Sequence, residues 1–215
     1  VSRLDASADQ AEIYLNAGIC PGGDIDQITD QYANLDQRNL AGYDLGVYYN
    51  VSTDYGRFRF SYNGSIIDEF EQVAGGEAAR LVDAANSGVI PESFPVDGFA
   101  DLIGRDGNQE IRQSVRLSWR KDAYGASLSG NYIGDFYQSS LTLDDGTRYE
   151  IPSMTTYNAS VDYRFDIDDV KTRVRFGVRN LTNERAPLSD NSFGYFADAH
   201  RDYGRSYYLD VSASF

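Results

Sequence analysis

The chain has 215 residues, 33 acids against 19 Lys and Arg, and a formal net charge of −14. That balance excludes a nucleic-acid partner, because a run of phosphates is bound by a surplus of cations. No window approaches the roughly 20 apolar residues of a membrane helix, yet alternating barrel strands average out in such a scan and stay open. Nearly all the positive charge is arginine, with lysine only at Lys121 and Lys171. Arginine suits cations held in fixed, multidentate hydrogen bonds. The start, VSRLDASADQ, lacks the basic end and apolar core of a secretion signal. Cys20 is single, so it is a free thiol or half of a bridge to a residue outside this sequence.

In chain order, Ser7 with Gln10 in the capping-box position predicts a short helix that Gly18 can end. Ala11–Leu15 read as a strand is the alternative. Seven segments then alternate with period two, the pattern of strands with one apolar face. The first sets Tyr43, Leu45, Val47, Tyr49 and Val51 on one face. The second opposes Phe58, Phe60, Tyr62 and Ile66 to Arg57, Arg59, Ser61 and Asn63. Within the long link that follows, GGEAARLVDAANSG predicts a second helix between glycines. The third strand opposes Ile111, Val115, Leu117 and Trp119 to Arg112, Ser114, Arg116 and Arg120. The fourth, ASLSGNYIGDF, sets Ala126, Leu128, Tyr132 and Phe136 against Ser127, Ser129 and Asn131. The fifth opposes Tyr157, Ala159, Val161, Tyr163 and Phe165 to Asn158, Ser160, Asp162 and Arg164, and the sixth opposes Val174, Phe176 and Val178 to Arg173, Arg175 and Arg179. The last alternates to the end of the sequence, with Tyr207, Leu209, Val211, Ala213 and Phe215 against Tyr208, Asp210, Ser212 and Ser214.

The connections alternate as well. Tight turns fall at Thr53–Gly56, Asp122–Gly125 and Asp166–Val170, and long links at Asp68–Asn108, Leu141–Glu150 and Glu184–Tyr203. Short turns on one edge and long loops on the other is the layout of an outer-membrane barrel. Rings at Trp119, Phe165, Tyr163, Phe58 and Phe215 gather near the short-turn edge, where an aromatic girdle meets headgroups. The predicted fold class is therefore all-β: an antiparallel transmembrane β-barrel with short helices in its long loops, in contact with outer-membrane lipid. A soluble β-sandwich would turn the same apolar faces inward. Bacterial barrels have an even strand number. Seven strands, ending on the short-turn side, lead us to expect the C-terminal portion of a larger barrel across 1–215; a small self-contained structural or adhesive barrel, with Ala11–Leu15 as its first strand, is the rival.

The segment VRFGVRNLTNERAP (Val174–Pro187), followed by DYGRSYYLDVSASF (Asp202–Phe215), resembles the end of TonB-dependent outer-membrane receptors. Gly177, Asn180, Leu181, Thr182 and Asn183 match that family's G-x-x-N-L-x-[ND] run; Gly204, Arg205, Tyr207 and Phe215 match its final G-R-x-[YF] strand. The resemblance spans most of the chain from about Gln31. It implies a barrel of about 22 strands whose lumen is plugged, in the outer membrane of a Gram-negative bacterium. It also implies active import of a scarce nutrient (siderophore, cobalamin or oligosaccharide class) driven by the TonB complex. The plug domain and TonB box, the implied contact with the energy source, belong N-terminal to this sequence. The terminal aromatic, Phe215, is implied to be the signal for the barrel-assembly machinery.

Candidate sites follow from residue type and position. The ring-and-carboxylate cluster of the last long loop suits ligand contact, with Tyr195, Phe196, Asp198, His200 and Arg201 as candidates; the alternative is a loop packed on its neighbours. His200 itself reads as an ordinary exposed loop residue, since a zinc site wants three or four ligands. Arg57, Arg59, Arg112, Arg116, Arg120, Arg164, Arg173, Arg175 and Arg179 project to the lumen. They read as salt-bridging partners of plug acids, neighbouring strands, Asp162 and Glu184, with an anion path as the alternative. The acids of Arg105–Glu110 and Leu141–Glu150 read as turn residues before a calcium site. No catalytic set, metal or cofactor is expected.

Overall fold

The computed structural model describes residues 2–3, 7–16, 25–27, 37–90, 96, 99 and 101–214. Cys20, Gly18 and Phe215, singled out above, lie outside them. The chain divides into two units, Val1–Leu35 and Asp36–Phe215.

In the first unit, β1 (Ser2–Arg3) pairs antiparallel with β2 (Ile25–Gln27), and α1 spans Ala8–Asn16. The helix has the predicted reciprocal cap. The Gln10 amide donates to Ser7 Oγ at 3.3 Å, and the Ser7 amide donates to Gln10 Oε1 at 3.1 Å. Two orphan donors are thereby satisfied. Residues 11–15 are thus helical, which removes the first strand of the small-barrel rival.

The second unit is a meander built from β3 (Arg38–Thr53), β4 (Gly56–Gln72), β5 (Ile111–Lys121), β6 (Tyr124–Ile133), β9 (Met154–Ile167), β10 (Val170–Arg179) and β11 (Ser206–Ser214). They form one seven-stranded antiparallel sheet in the order β11-β10-β9-β6-β5-β4-β3. Helix α2 (Gly76–Asn86) lies in the β4–β5 loop, as predicted. The sheet is not closed: β3 and β11 are its edges among the described residues.

Two predicted details are corrected. The ASLSGNYIGDF segment is not one strand: β6 stops at Ile133, and the Gly134 amide donates to the Ile111 carbonyl at 2.9 Å. Phe136 then opens β7 (Phe136–Thr142), which pairs with β8 (Arg148–Ile151), so the Leu141–Glu150 link forms the tip of a hairpin. Strand β4 also continues beyond Asp68 to Gln72, because β3 pairs with it all the way back to Arg38 and Asp101 bridges to Glu71.

Register keeps the two faces separate across the whole sheet. One row reads Val51, Phe58, Trp119, Ala126, Val161, Phe176, Leu209; the next toward the short turns reads Ser52, Arg57, Arg120, Gly125, Asp162, Arg175, Asp210. A slip by one residue in any strand would exchange its faces. The apolar face is bare: Tyr43 and Leu209 are each 68% exposed. A sandwich would cover that face with a second sheet, and none lies over it among the described residues. Buried apolar residues gather instead among the long loops, where Phe136, Ile151, Phe196 and Ala199 pack together. At the short-turn edge the Tyr124 and Tyr163 rings sit 5.0 Å apart and the Tyr163 and Phe165 rings 5.7 Å apart, so Tyr124 joins two of the rings expected at that edge. No helix among the described residues is long and apolar enough to cross a membrane, and strands of this length need none.

Candidate functional sites

The loop between β10 and β11 is closed at its base by the residues of the quoted motifs. Asn180 adopts the left-handed conformation (φ +53°), and its amide side chain clamps the turn. It donates from Nδ2 to the Glu184 carbonyl at 2.7 Å and accepts from the Glu184 amide at 2.8 Å. Asn183 Oδ1 accepts the Arg205 amide at 2.9 Å across the loop, tying one motif to the other. Gly177 is glycine because the Tyr208 ring lies directly over it; any Cβ would collide with that ring. Arg179 then sits 5.2 Å above the same ring in a cation–π contact.

One step outward, Asp202 binds Arg185 bidentately (2.7 Å to Nε, 2.5 Å to Nη2) and accepts the Ala186 amide at 2.9 Å. The Arg185 hydrogen bond, followed by the Ala186 amide, lowers the Asp202 pKa to about 2.

Further out, the loop docks on the β7–β8 hairpin. Gln138 donates from Nε2 to the Asp190 carbonyl at 2.8 Å and accepts the Asp190 amide at 2.9 Å; Tyr149 donates to the Leu188 carbonyl at 3.2 Å. The Phe136 ring meets Phe196 edge-on at 5.1 Å and stacks on His200 at 5.6 Å. The five ligand-contact candidates therefore divide. Asp198 and Arg201 are exposed and Tyr195 is half-buried, whereas Phe196 and His200 are interior. His200 is not an exposed loop residue: it is 1% exposed, because the β7–β8 hairpin packs against it through the Phe136 ring. Burial lowers its pKa, and Arg112 lowers it further. Phe193, exposed and 6.4 Å from the Tyr195 ring, joins the outward surface. Gln138 is the residue that sequence reasoning missed; a lone glutamine in a polar loop carries no signal that it will bind both backbone groups of a distant residue.

Two of the acids weighed for calcium already serve as hydrogen-bond acceptors, Asp106 for strand β7 and Asp145 within its own turn. Asp106 accepts the Ser139 amide at 2.8 Å, and Asp145 accepts the Thr147 amide at 2.9 Å.

The polar face of the sheet holds the second candidate site. Asp162, its side chain 8% exposed, faces three arginines: Arg173 Nη2 at 2.7 Å, Arg120 Nη2 at 3.1 Å and Arg164 Nε at 3.8 Å. Gly125 makes room for this cluster, since a Cβ there would lie 2.8 Å from Asp162 Oδ1 and 2.9 Å from Arg120 Nη2. Arg175 is the cross-strand neighbour of Asp162. The structure thus assembles Arg120, Arg164, Arg173 and Arg175 around one carboxylate beside a cavity of about 680 Å³. Arg120 Nη1, Arg173 Nε and Arg175 Nε are enclosed yet have no hydrogen-bond partner among the described residues. Arg116 lines the same cavity, bonded to Ser118 Oγ at 3.3 Å, while Arg112 lies at the loop end and Arg179 over Tyr208. Glu184 takes no part in the cluster; its backbone is held by Asn180.

A family model described as "TonB dependent receptor-like, beta-barrel" matches residues 9–181, which takes in β3 through β10 and ends inside the Gly177–Asn183 motif. No curated protein matches the chain.

Proposed function

The chain belongs to the TonB-dependent receptor-like β-barrel family, a family of outer-membrane transporters, and from that premise we propose that it forms the C-terminal part of the barrel wall of a receptor importing a scarce nutrient. The observation that carries this reading is the two-faced sheet: apolar side chains stand bare on one face, and arginines line the other. Lipid completes the first face. On the second, an acidic surface of the receptor's own plug domain completes the arginines around Asp162, whose orphaned nitrogens need acceptors. Remaining barrel strands pair with the open edges of β3 and β11. The energy comes from the TonB complex through the plug, and Phe215 presents the C-terminal signal to the barrel-assembly machinery.

Ligand contact falls to the outward part of the β10–β11 loop, where Tyr195, Asp198 and Arg201 combine a ring with both signs of charge. That combination suits a siderophore, cobalamin or oligosaccharide. The test uses cells expressing the full-length receptor and a panel of ferric siderophores, cobalamin and linear oligosaccharides. Uptake of one class, abolished by a protonophore and reduced about tenfold or more by Tyr195→Ala, is expected. Uptake that survives the protonophore would overturn TonB-driven transport. Affinity unchanged by Tyr195→Ala would overturn the loop assignment.

A further inference from the structure

The one histidine of the chain sits where a charge is hardest to hold. Its ring stacks on Phe136, its backbone amide donates to the Phe196 carbonyl at 2.8 Å, and both ring nitrogens are enclosed without a hydrogen-bond partner among the described residues. The surroundings offer no compensation. β5 contributes the Arg112 guanidinium, which repels an imidazolium; β7 contributes the Phe136 ring. Within its own loop Asp198 and Arg201 point to solvent, and Asp202 is committed to Arg185. The place is also a joint: the rings of the β10–β11 loop and the β7–β8 hairpin meet there.

We propose that His200 is the positioning residue of the β10–β11 loop, holding the loop on the hairpin as a neutral ring and releasing it when protonated. The inference rests on the reading of that loop as the ligand-contact surface, whose regulation it supplies. The sign follows from where the proton binds better. The closed loop disfavours the imidazolium, so the open loop takes up the proton at the ordinary histidine value of about 6.5. Closure is therefore complete above that value and weakens as the pH falls below it, by about tenfold per pH unit until the buried ring titrates too. A ligand seated on Tyr195, Asp198 and Arg201 would lose its platform in acid, although none of those three side chains is the sensor.

Hydrogen exchange of segment 186–205 in the full-length receptor in detergent, corrected for intrinsic rates, tests this between about pH 7.5 and 5. The opening constant should rise about tenfold per unit below pH 6.5, while the strands β9 and β10 stay protected. His200→Phe keeps a ring in the stack without a titrating group, and its profile should be flat. A flat wild-type profile, or an unchanged slope in His200→Phe, overturns the proposal. Should that variant fail to assemble, carbethoxylation of the wild type decides. His200 should be protected at pH 7.5 relative to the unfolded receptor, with protection shrinking in acid; equal reactivity throughout overturns the latch. The Tyr195→Ala uptake result is independent of both readouts, so failure of the contact reading and failure of the latch are told apart.

Discussion

Asp162 and Asp202 both bind arginines, and they do different work. Asp162 lies within the sheet, faces three guanidiniums, and leaves arginine nitrogens beside it without partners among the described residues. Asp202 lies in a loop and holds a single arginine bidentately, with a backbone amide completing its coordination. The first is an unbalanced cluster, positively charged overall and waiting for further acceptors. The second is a closed, self-sufficient clasp. Breaking an enclosed pair leaves charges uncompensated, whereas exposed pairs contribute little to stability. Asp162 therefore bears on whether the barrel holds together, and Asp202 on the path one loop takes.

The largest expected effect comes from removing the carboxylate at the centre of the cluster, the one that three arginines face. Asp162→Asn should destabilise the refolded receptor by about 3 kcal/mol, the low end for breaking an enclosed pair because the arginines keep some contact with water. The urea midpoint, with heat-modifiable gel mobility as a second probe, measures it. A midpoint unchanged in the complete receptor would mean that other acids already neutralise the arginines. Next in size is Gly177→Val, which drives a side chain into the Tyr208 ring and should cost about 1–3 kcal/mol. Combining it with Tyr208→Ala should recover most of that loss, because the collision is with the ring alone. Full cost in the double variant would place the strain in the backbone instead. Smaller again is Asn183→Ala: it removes the side-chain acceptor of the Arg205 amide for about 1 kcal/mol, visible as faster exchange at that amide.

The same comparison shows what the sequence could reveal. The sheet was legible because alternation is local: apart from Phe136, the face assignments of the described strand residues survived, and Arg120, Arg164, Arg173 and Arg175 met because strand register lines up residues of the same face. That Asp162 rather than Glu184 would receive them depends on Gly125 leaving space on a neighbouring strand, which parity cannot reveal. The loops were legible at their bases, where Asn180, Asn183 and Gly204 carry positive φ and a recognisable spacing, and at helix α2 between its glycines. Phe136, Gln138 and His200 were misread or missed for one reason. Their partners come from a second loop, and tertiary contacts between loops leave no periodicity. Phe136 continued the alternation of β6 by accident, and a buried histidine looks like an exposed one until the hairpin above it is seen.

The smallest effect sharpens the contrast most, because it separates the clasp from the latch on one pH axis. Asp202→Asn should leave global unfolding nearly unchanged while increasing protease cleavage within residues 186–201. The Asp202 pKa lies at about 2 in the folded loop, below its ordinary 3.8. A carboxylate depressed in this way contributes fully above the ordinary value and is lost as the pH falls through about 2. Loop cleavage by an acid-active protease should thus rise in two separate steps: one below about pH 6.5 that vanishes in His200→Phe, and one below pH 3.8 that vanishes in Asp202→Asn. A single step abolished by either substitution would mean that the loop opens as one unit, with its base and its tip inseparable. Two independent steps would mean that the base clasp survives after the tip has lifted, so that in mild acid the contact surface is displaced while the loop stays anchored over the sheet.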